Sequence, residues 1–324
     1  MIKKRISELK RLINLNNLDG YIVPKNDAYF SEYSSPDRLK IISNFSGSAG
    51  FAIILKNKNY LFVDGRYTIQ ATMESSRYFE IKEIPKFSPD CISKKTKKKL
   101  SLGFDPQLFT ILNIKKKFNN NFNLCPVSEN LIDKIFKNKS KKSVEPFYFL
   151  NDKITGEKKN SKIKRLLEVI KYRNIDNIFI SAPENVAWLL NIRGKDNPNS
   201  PIPNCKIILT KNKKIFFFSC SKKIKLIKKH KDYKDFTFCK YEDFFNVIKK
   251  LKGKNFCIDS STCSISNEKI IRSLFHVKLN ADPCYSLKSI KNKTELKHMI
   301  NAHIEDGLAL TKFIYWIKNK NKKK

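Results

Sequence analysis

The sequence predicts an α/β fold: two related domains, each a mixed sheet covered by helices, followed by one long helix that opens a third unit. Three observations carry this. Apolar residues fill 41% of the 324 positions, enough for buried cores and too many for a disordered chain. Short apolar strands alternate with amphipathic helices along most of the length. The order of those elements then repeats at a nearly constant spacing.

Taken in order, Ile2, Ile6, Leu9 and Ile13 recur at helical spacing between lysines and arginines, so an amphipathic helix opens the chain. Gly20-Tyr21-Ile22-Val23-Pro24 reads as a short buried strand ended by proline. Phe51–Leu55 and Tyr60–Val63 read as strands joined by the polar hairpin loop Lys56–Asn59, with a helix from Tyr67 to about Ser76 behind them. A helix across Ser161–Tyr172 places Ile163, Leu166, Leu167 and Ile170 on one face. Ile175–Ile180 then echoes Leu18–Val23 at a distance of 157 residues, and Ile207–Phe218 echoes Ile53–Val63 at about the same distance. Duplication of a helix–strand–helix–hairpin unit explains both echoes. Chance likeness of short apolar strands is the competing explanation, because strand patterns are degenerate. The Lys- and Ser-rich stretch Phe136–Pro146 is the expected linker. The expected domains are therefore 1-140 and 147-285, with a third unit at 288-324. That unit is a single helix across Lys291–Lys318 with Leu296, Met299, Ile300, Leu310, Phe313 and Ile317 as its apolar positions.

The formal charge of +36 invites a polyanionic partner. The lysines, however, are spread over almost every segment among abundant Asn and Ile, the residues of A/T-rich codons. Zinc-finger spacing, an RNP-like aromatic strand and an Arg-rich helix are all missing, so nucleic acid is not the expected partner. The longest apolar runs, such as Ile215–Phe218, are too short to span a bilayer, and no apolar segment of a secretory signal follows Met1–Ile6; a cytoplasmic location is expected. The eight cysteines, at 91, 125, 205, 220, 239, 257, 263 and 284, form no C-x-x-C pair and are expected as free buried thiols. Gly47-Ser48-Ala49-Gly50 lacks the lysine and the length of a phosphate loop and precedes a strand, so it reads as a tight turn. Trp188 reads as core, and the loop Asn191-Ile192-Arg193-Gly194 as the second domain's contact surface.

Three groups of motifs point to one family. The first is Ser31-Glu32-Tyr33 with Pro36 and Arg38, then Phe45–Gly50, then Asp64-Gly65-Arg66-Tyr67 with Gln70-Ala71. The second is Asn185–Gly194 with Asp196 and Pro201. The third is Lys291-Asn292, Glu295, Ala302-His303-Ile304, Asp306-Gly307, Ala309-Leu310 and Trp316. Together they resemble aminopeptidase P, the Xaa-Pro aminopeptidases of the M24 metallopeptidase family, over roughly residues 18 to 317. One departure is Asn44, where the family usually has glycine.

The resemblance implies an α/β fold of two creatinase-N-terminal-like domains plus the first helix of a pita-bread catalytic domain that this chain is expected to lack. It implies removal of an N-terminal residue that precedes proline. Full-length members use two divalent ions, usually manganese, held by two Asp, one His and two Glu, and are usually homodimers or larger. None of those five ligands can be placed here, so the expectation is no catalytic residue, no metal ligand and a fragment inactive alone. His298 and His303 are five apart on a helix and do not face one site; His230 and His276 read as structural. The resemblance carries substrate binding to Arg66, whose guanidinium can hold a peptide carbonyl or carboxylate by paired hydrogen bonds. A structural ion pair with Asp64 or Asp37 is the competing role. The alternative function is a non-catalytic binding or dimerisation module.

Overall fold

Alternation along each central strand sends neighbouring side chains to opposite faces, and both faces find a core. The computed structural model describes residues 1–33, 35–94, 98–118, 121–136 and 145–320. Its first half holds β1 (Gly20–Pro24), β2 (Phe51–Leu55), β3 (Asn59–Asp64), β4 (Glu80–Ile84), β5 (Leu100–Phe104) and β6 (Phe122–Pro126). They form one sheet in the order β4-β3-β2-β1-β5-β6. Tyr21 and Val23 of β1 join Ile54 and Leu61 in one cluster, under the opening helix Ile2–Leu15 through its buried Ile6, Leu9 and Ile13. Ile22, Ile53 and Phe62 point the other way, into a cluster with Phe104, Phe109 and Phe118. Helices on both faces explain why the central strands are continuous apolar runs.

The second half contains β7 (Tyr148–Phe149), β8 (Asn177–Ile180), β9 (Ile192–Arg193), β10 (Lys206–Thr210), β11 (Ile215–Phe218), β12 (Thr237–Cys239), β13 (Asn255–Ile258) and β14 (His276–Leu279). Its six-stranded sheet runs β12-β11-β10-β8-β13-β14, while β7 and β9 pair separately. This is the first sheet's order over again. In both, the entry strand pairs antiparallel with the hairpin: Tyr21 lies opposite Ile54, and Ile178 opposite Leu209. In both, it pairs parallel on its other side, with Tyr21 opposite Gly103 and Ile178 opposite Cys257. Shared strand order, direction and register are what duplication predicts and what chance likeness of two short strands does not. The second copy departs by inserting β9 before its hairpin. The expected linker falls mainly at 137–144, outside the described residues, as do 321–324.

The halves meet at a seam. Ile265 N and Ser266 N donate to Phe109 O and Pro106 O at 2.8 and 3.0 Å, and the Ile265 side chain packs on the first half's core. Ser31 Oγ donates to Asn197 Oδ1 at 3.0 Å.

The last helix, Lys293–Lys320, begins on a reciprocal cap: Asn292 Oδ1 accepts from Glu295 N at 2.9 Å, and Glu295 Oε2 accepts from Asn292 N at 3.0 Å. Asn292 Nδ2 donates to Thr155 O at 2.8 Å, tying that first turn to the second half. No residue along the helix is buried; Leu296, Ile304, Phe313 and Trp316 are each about half exposed or more.

Candidate functional site

The strand β3 ends at Asp64, and the chain turns through a short 3-10 helix, Gly65–Tyr67, into the helix Thr68–Ser75. Asp64 makes the turn. Its Oδ1 accepts the Arg66 backbone N–H at 3.0 Å, and its carboxylate takes the Arg66 guanidinium at 3.1 and 2.8 Å. The hydrogen bond from Arg66 pulls the Asp64 carboxyl below its usual range, and the same bond raises Arg66. Arg66 keeps 73% of its side-chain surface exposed, and its guanidinium lies 5.3 Å from the centre of the Tyr67 ring.

Tyr67 anchors this turn inward. Its hydroxyl is 2.8 Å from Ser48 Oγ, and its ring meets Phe45 edge-on at 5.8 Å. Gly47 sits between those two rings, where an added Cβ would fall 2.3 Å from Phe45 and 2.8 Å from Tyr67. Ser46 and Gln70 both bind Glu74, Ser46 through its N–H and hydroxyl at 2.7 Å each and Gln70 at 3.1 Å. The Phe45–Gly50 turn is thus bolted to the helix that follows Arg66. Asn44 caps the helix Arg38–Ser43 at φ 67°, the left-handed conformation for which asparagine is the best substitute for glycine. The departure at Asn44 therefore preserves the turn.

Of the two ion pairs considered for Arg66, the structure forms the one with Asp64. Asp37 instead caps the helix Arg38–Ser43 and binds Lys25 at 2.5 Å. Arg38 is engaged in a paired contact with Asp133, at 2.9 and 2.7 Å.

Three expectations are revised. The loop Asn191–Gly194 is not an exposed contact surface. Asn191 is buried, its amide donates to Glu157 O at 2.9 Å, its Oδ1 accepts from Lys162 at 2.7 Å, and Ile192–Arg193 pairs with β7. The opening residues of the second half, 148–157, fold back and cover it, which its motif gave no hint of. Trp188 is half-buried and packs beside the core, not in it. The cysteines are free, but Cys220 is exposed and Cys91 and Cys125 are half-buried; the other five are buried. His298 and His303 lie on the exposed last helix, and His230 stacks on Phe149 at 4.0 Å.

Among the described residues, no three His, Cys, Asp or Glu side chains converge on a possible metal position. The described residues do not fit the pair of ions that the resemblance implies for full-length members. No described helix is long and apolar enough to cross a membrane.

Family models agree with the two-copy architecture. Residues 5–135 match one model, and 138–295 a second, both described as creatinase/prolidase N-terminal domains. The chain belongs to the creatinase/prolidase N-terminal family. Relatives in this family include Xaa-Pro aminopeptidase 1 of Dictyostelium discoideum, 31% identical over 98% of this chain and 53% of that protein. A probable Xaa-Pro aminopeptidase P of Pyricularia oryzae is 30% identical over 98% of this chain and 56% of that one. Among solved structures, the X-prolyl aminopeptidase of Caenorhabditis elegans, a cytosolic enzyme with a di-nuclear active site, has the same fold. It superposes with a TM-score of 0.82 at 23% identity, over 98% of this chain and 56% of that one. The chain spans about half the length of the curated relatives it matches.

Proposed function

We propose that this chain is the two-domain N-terminal part of an Xaa-Pro aminopeptidase, and that its role is to present Arg66 to the peptide. The observation that supports this best is the collinear likeness to Xaa-Pro aminopeptidases over 98% of the chain, through both sheets and into the last helix. In this reading the domains are 1-140 and 147-285, and 288-324 begins a catalytic unit. The substrates are peptides with proline second. Metal-dependent hydrolysis, with manganese as the expected ion, belongs to the part of the relatives' length that this chain does not span. The protein works in the cytoplasm as a homodimer. Alone, this chain binds without cleaving.

The chemistry at Arg66 suits that role. An exposed guanidinium already oriented by Asp64 loses little freedom when it takes a carbonyl or carboxylate. The test is a chimera in which this chain replaces the matching half of the Dictyostelium enzyme. Arg66→Ala should lower its kcat/KM roughly ten- to a hundredfold, the effect of losing one charge-assisted contact. An active chimera indifferent to that change would remove Arg66 from the site.

A further inference from the structure

Four lysines are buried among the described residues, Lys25, Lys162, Lys206 and Lys223. Burying an ammonium is costly unless an acceptor, and preferably a negative charge, is placed against it. Three of the four have a side-chain acceptor. Lys25 binds the Asp37 carboxylate and Lys223 the Asp196 carboxylate. Lys162 donates to Asn191 Oδ1 at 2.7 Å and to Trp188 O at 3.0 Å. Lys206 is the exception. It is 4% exposed, and its recorded partners are one backbone carbonyl, Ala28 O at 2.9 Å, and the face of Tyr29 at 5.3 Å. An ammonium has three donors, so among the described residues Lys206 carries donor capacity that no side-chain acceptor takes up.

Lys206 lines a cavity of about 270 Å³ at the domain seam. Ala28, Tyr29 and Gln107 come to it from the first half; Lys206, Tyr241 and Phe244 come from the second. Tyr29 and Tyr241 meet edge-on at 5.8 Å. Tyr241 Oη is shut off from solvent, with the Tyr29 hydroxyl as its neighbour. A cation and two buried phenol hydroxyls therefore share one aromatic-walled space. Burial also pushes Lys206 down to about 8, which leaves it mostly protonated at neutral pH.

We propose that this seam cavity binds a small aromatic monocarboxylate, with Lys206 as its counter-charge and Tyr29, Tyr241 and Phe244 as its walls. The carboxylate takes the free Lys206 donors and the Tyr241 hydroxyl, while the ring packs edge-to-face against the aromatic walls. The volume suits roughly ten non-hydrogen atoms, since it equals the liquid share of about nine waters at about 30 Å³ each. Glu242, on the exposed rim, selects against a second negative charge. Both domains supply walls, so an occupant also ties the domains together.

The test uses benzoate as the probe and benzamide as its neutral counterpart, with binding followed by NMR and by the shift in Tm. Benzoate should saturate at millimolar concentration or below, and benzamide should bind at least tenfold more weakly. Lys206→Met, which keeps the side-chain length, should lose at least tenfold in benzoate affinity. Gln107→Trp, at the exposed mouth, should block binding without touching either core. Failure of benzoate to saturate at tens of millimolar, or equal affinity for wild type and folded Lys206→Met, overturns the proposal. If Lys206→Met does not fold, Gln107→Trp decides: lost binding supports the site and unchanged binding refutes it.

Discussion

Asp64 grips Arg66 at both ends, taking its backbone N–H at 3.0 Å and its guanidinium at 3.1 and 2.8 Å. The pair holds the turn and at the same time leaves the Arg66 side chain 73% exposed. Ion pair and peptide contact are thus compatible roles.

Because exposed ion pairs contribute little to stability, Arg66→Ala in this chain should move Tm by no more than about 2 °C. Differential scanning fluorimetry checks this. A much larger drop would make Arg66 a structural residue, and the effect on peptide turnover would then lose its meaning.

The duplicated register makes a paired prediction. Ile54 and Leu209 are both 0% exposed and lie opposite Tyr21 and Ile178 in their own sheets. Truncating either to alanine should cost about 2–5 kcal/mol, measured by urea unfolding. If one costs nearly nothing, the two positions are not equivalent and the repeat is only topological.

Gly50 has φ +154°, and a Cβ there would lie 2.8 Å from Phe62 O. Gly50→Ala should therefore destabilise by about 1 kcal/mol or more, and Ser48→Ala, which only frees the Tyr67 hydroxyl, by less. The reverse order would mean that the Ser48–Tyr67 contact, not the glycine, shapes this turn.

Stability should fall in alkali. Burial raises the thiols of Cys205, Cys263 and Cys284, and puts Cys239 and Cys257 at about 11. Each keeps its proton in the folded state where the unfolded chain has lost it. Their contribution is complete below about pH 9 and fades as pH rises through the folded values, for Cys257 by up to about 2–3 kcal/mol at pH 11. Lys162 and Lys206, lowered by burial to about 8, act oppositely: their burial cost is relieved as pH rises from about 8 to about 10.5. Five thiols outweigh two lysines, so Tm should decline above about pH 9. A Tm that climbs through pH 10 would show the lysines dominating.

The two sheets were legible in the sequence because central strands with both faces covered are unbroken apolar runs, and the hairpin echo carried the second copy. The outer strands were not. β4 (Glu-Ile-Lys-Glu-Ile) and β14 (His-Val-Lys-Leu) sit at sheet edges, half-buried or exposed, where charged residues are tolerated and the pattern fades. Arg66 is singled out by its motif alone, with no physical signal of its own in the sequence. The Lys206 cavity was invisible, since its walls come from residues between 28 and 267 and only folding assembles them. The covering of Asn191 by residues 148–157 was hidden for the same reason.

The last helix is tied to the second half at its N-terminal end, where Asn292 Nδ2 donates to Thr155 O. Amide exchange should show protection at Glu295 falling steadily toward Lys320, well below that of β1 and β8. Uniform protection along Lys293–Lys320 in a monomer would mean that its apolar face has found a partner, and would favour a finished binding module over part of an enzyme.

The decisive measurement is peptide cleavage by the purified chain supplied with manganese and a peptide with proline second. No first residue should be released at any metal concentration, because among the described residues no three donor side chains converge on an ion. Chelator-sensitive turnover that follows the chain through every purification step would contradict this and place a complete catalytic centre within these 324 residues.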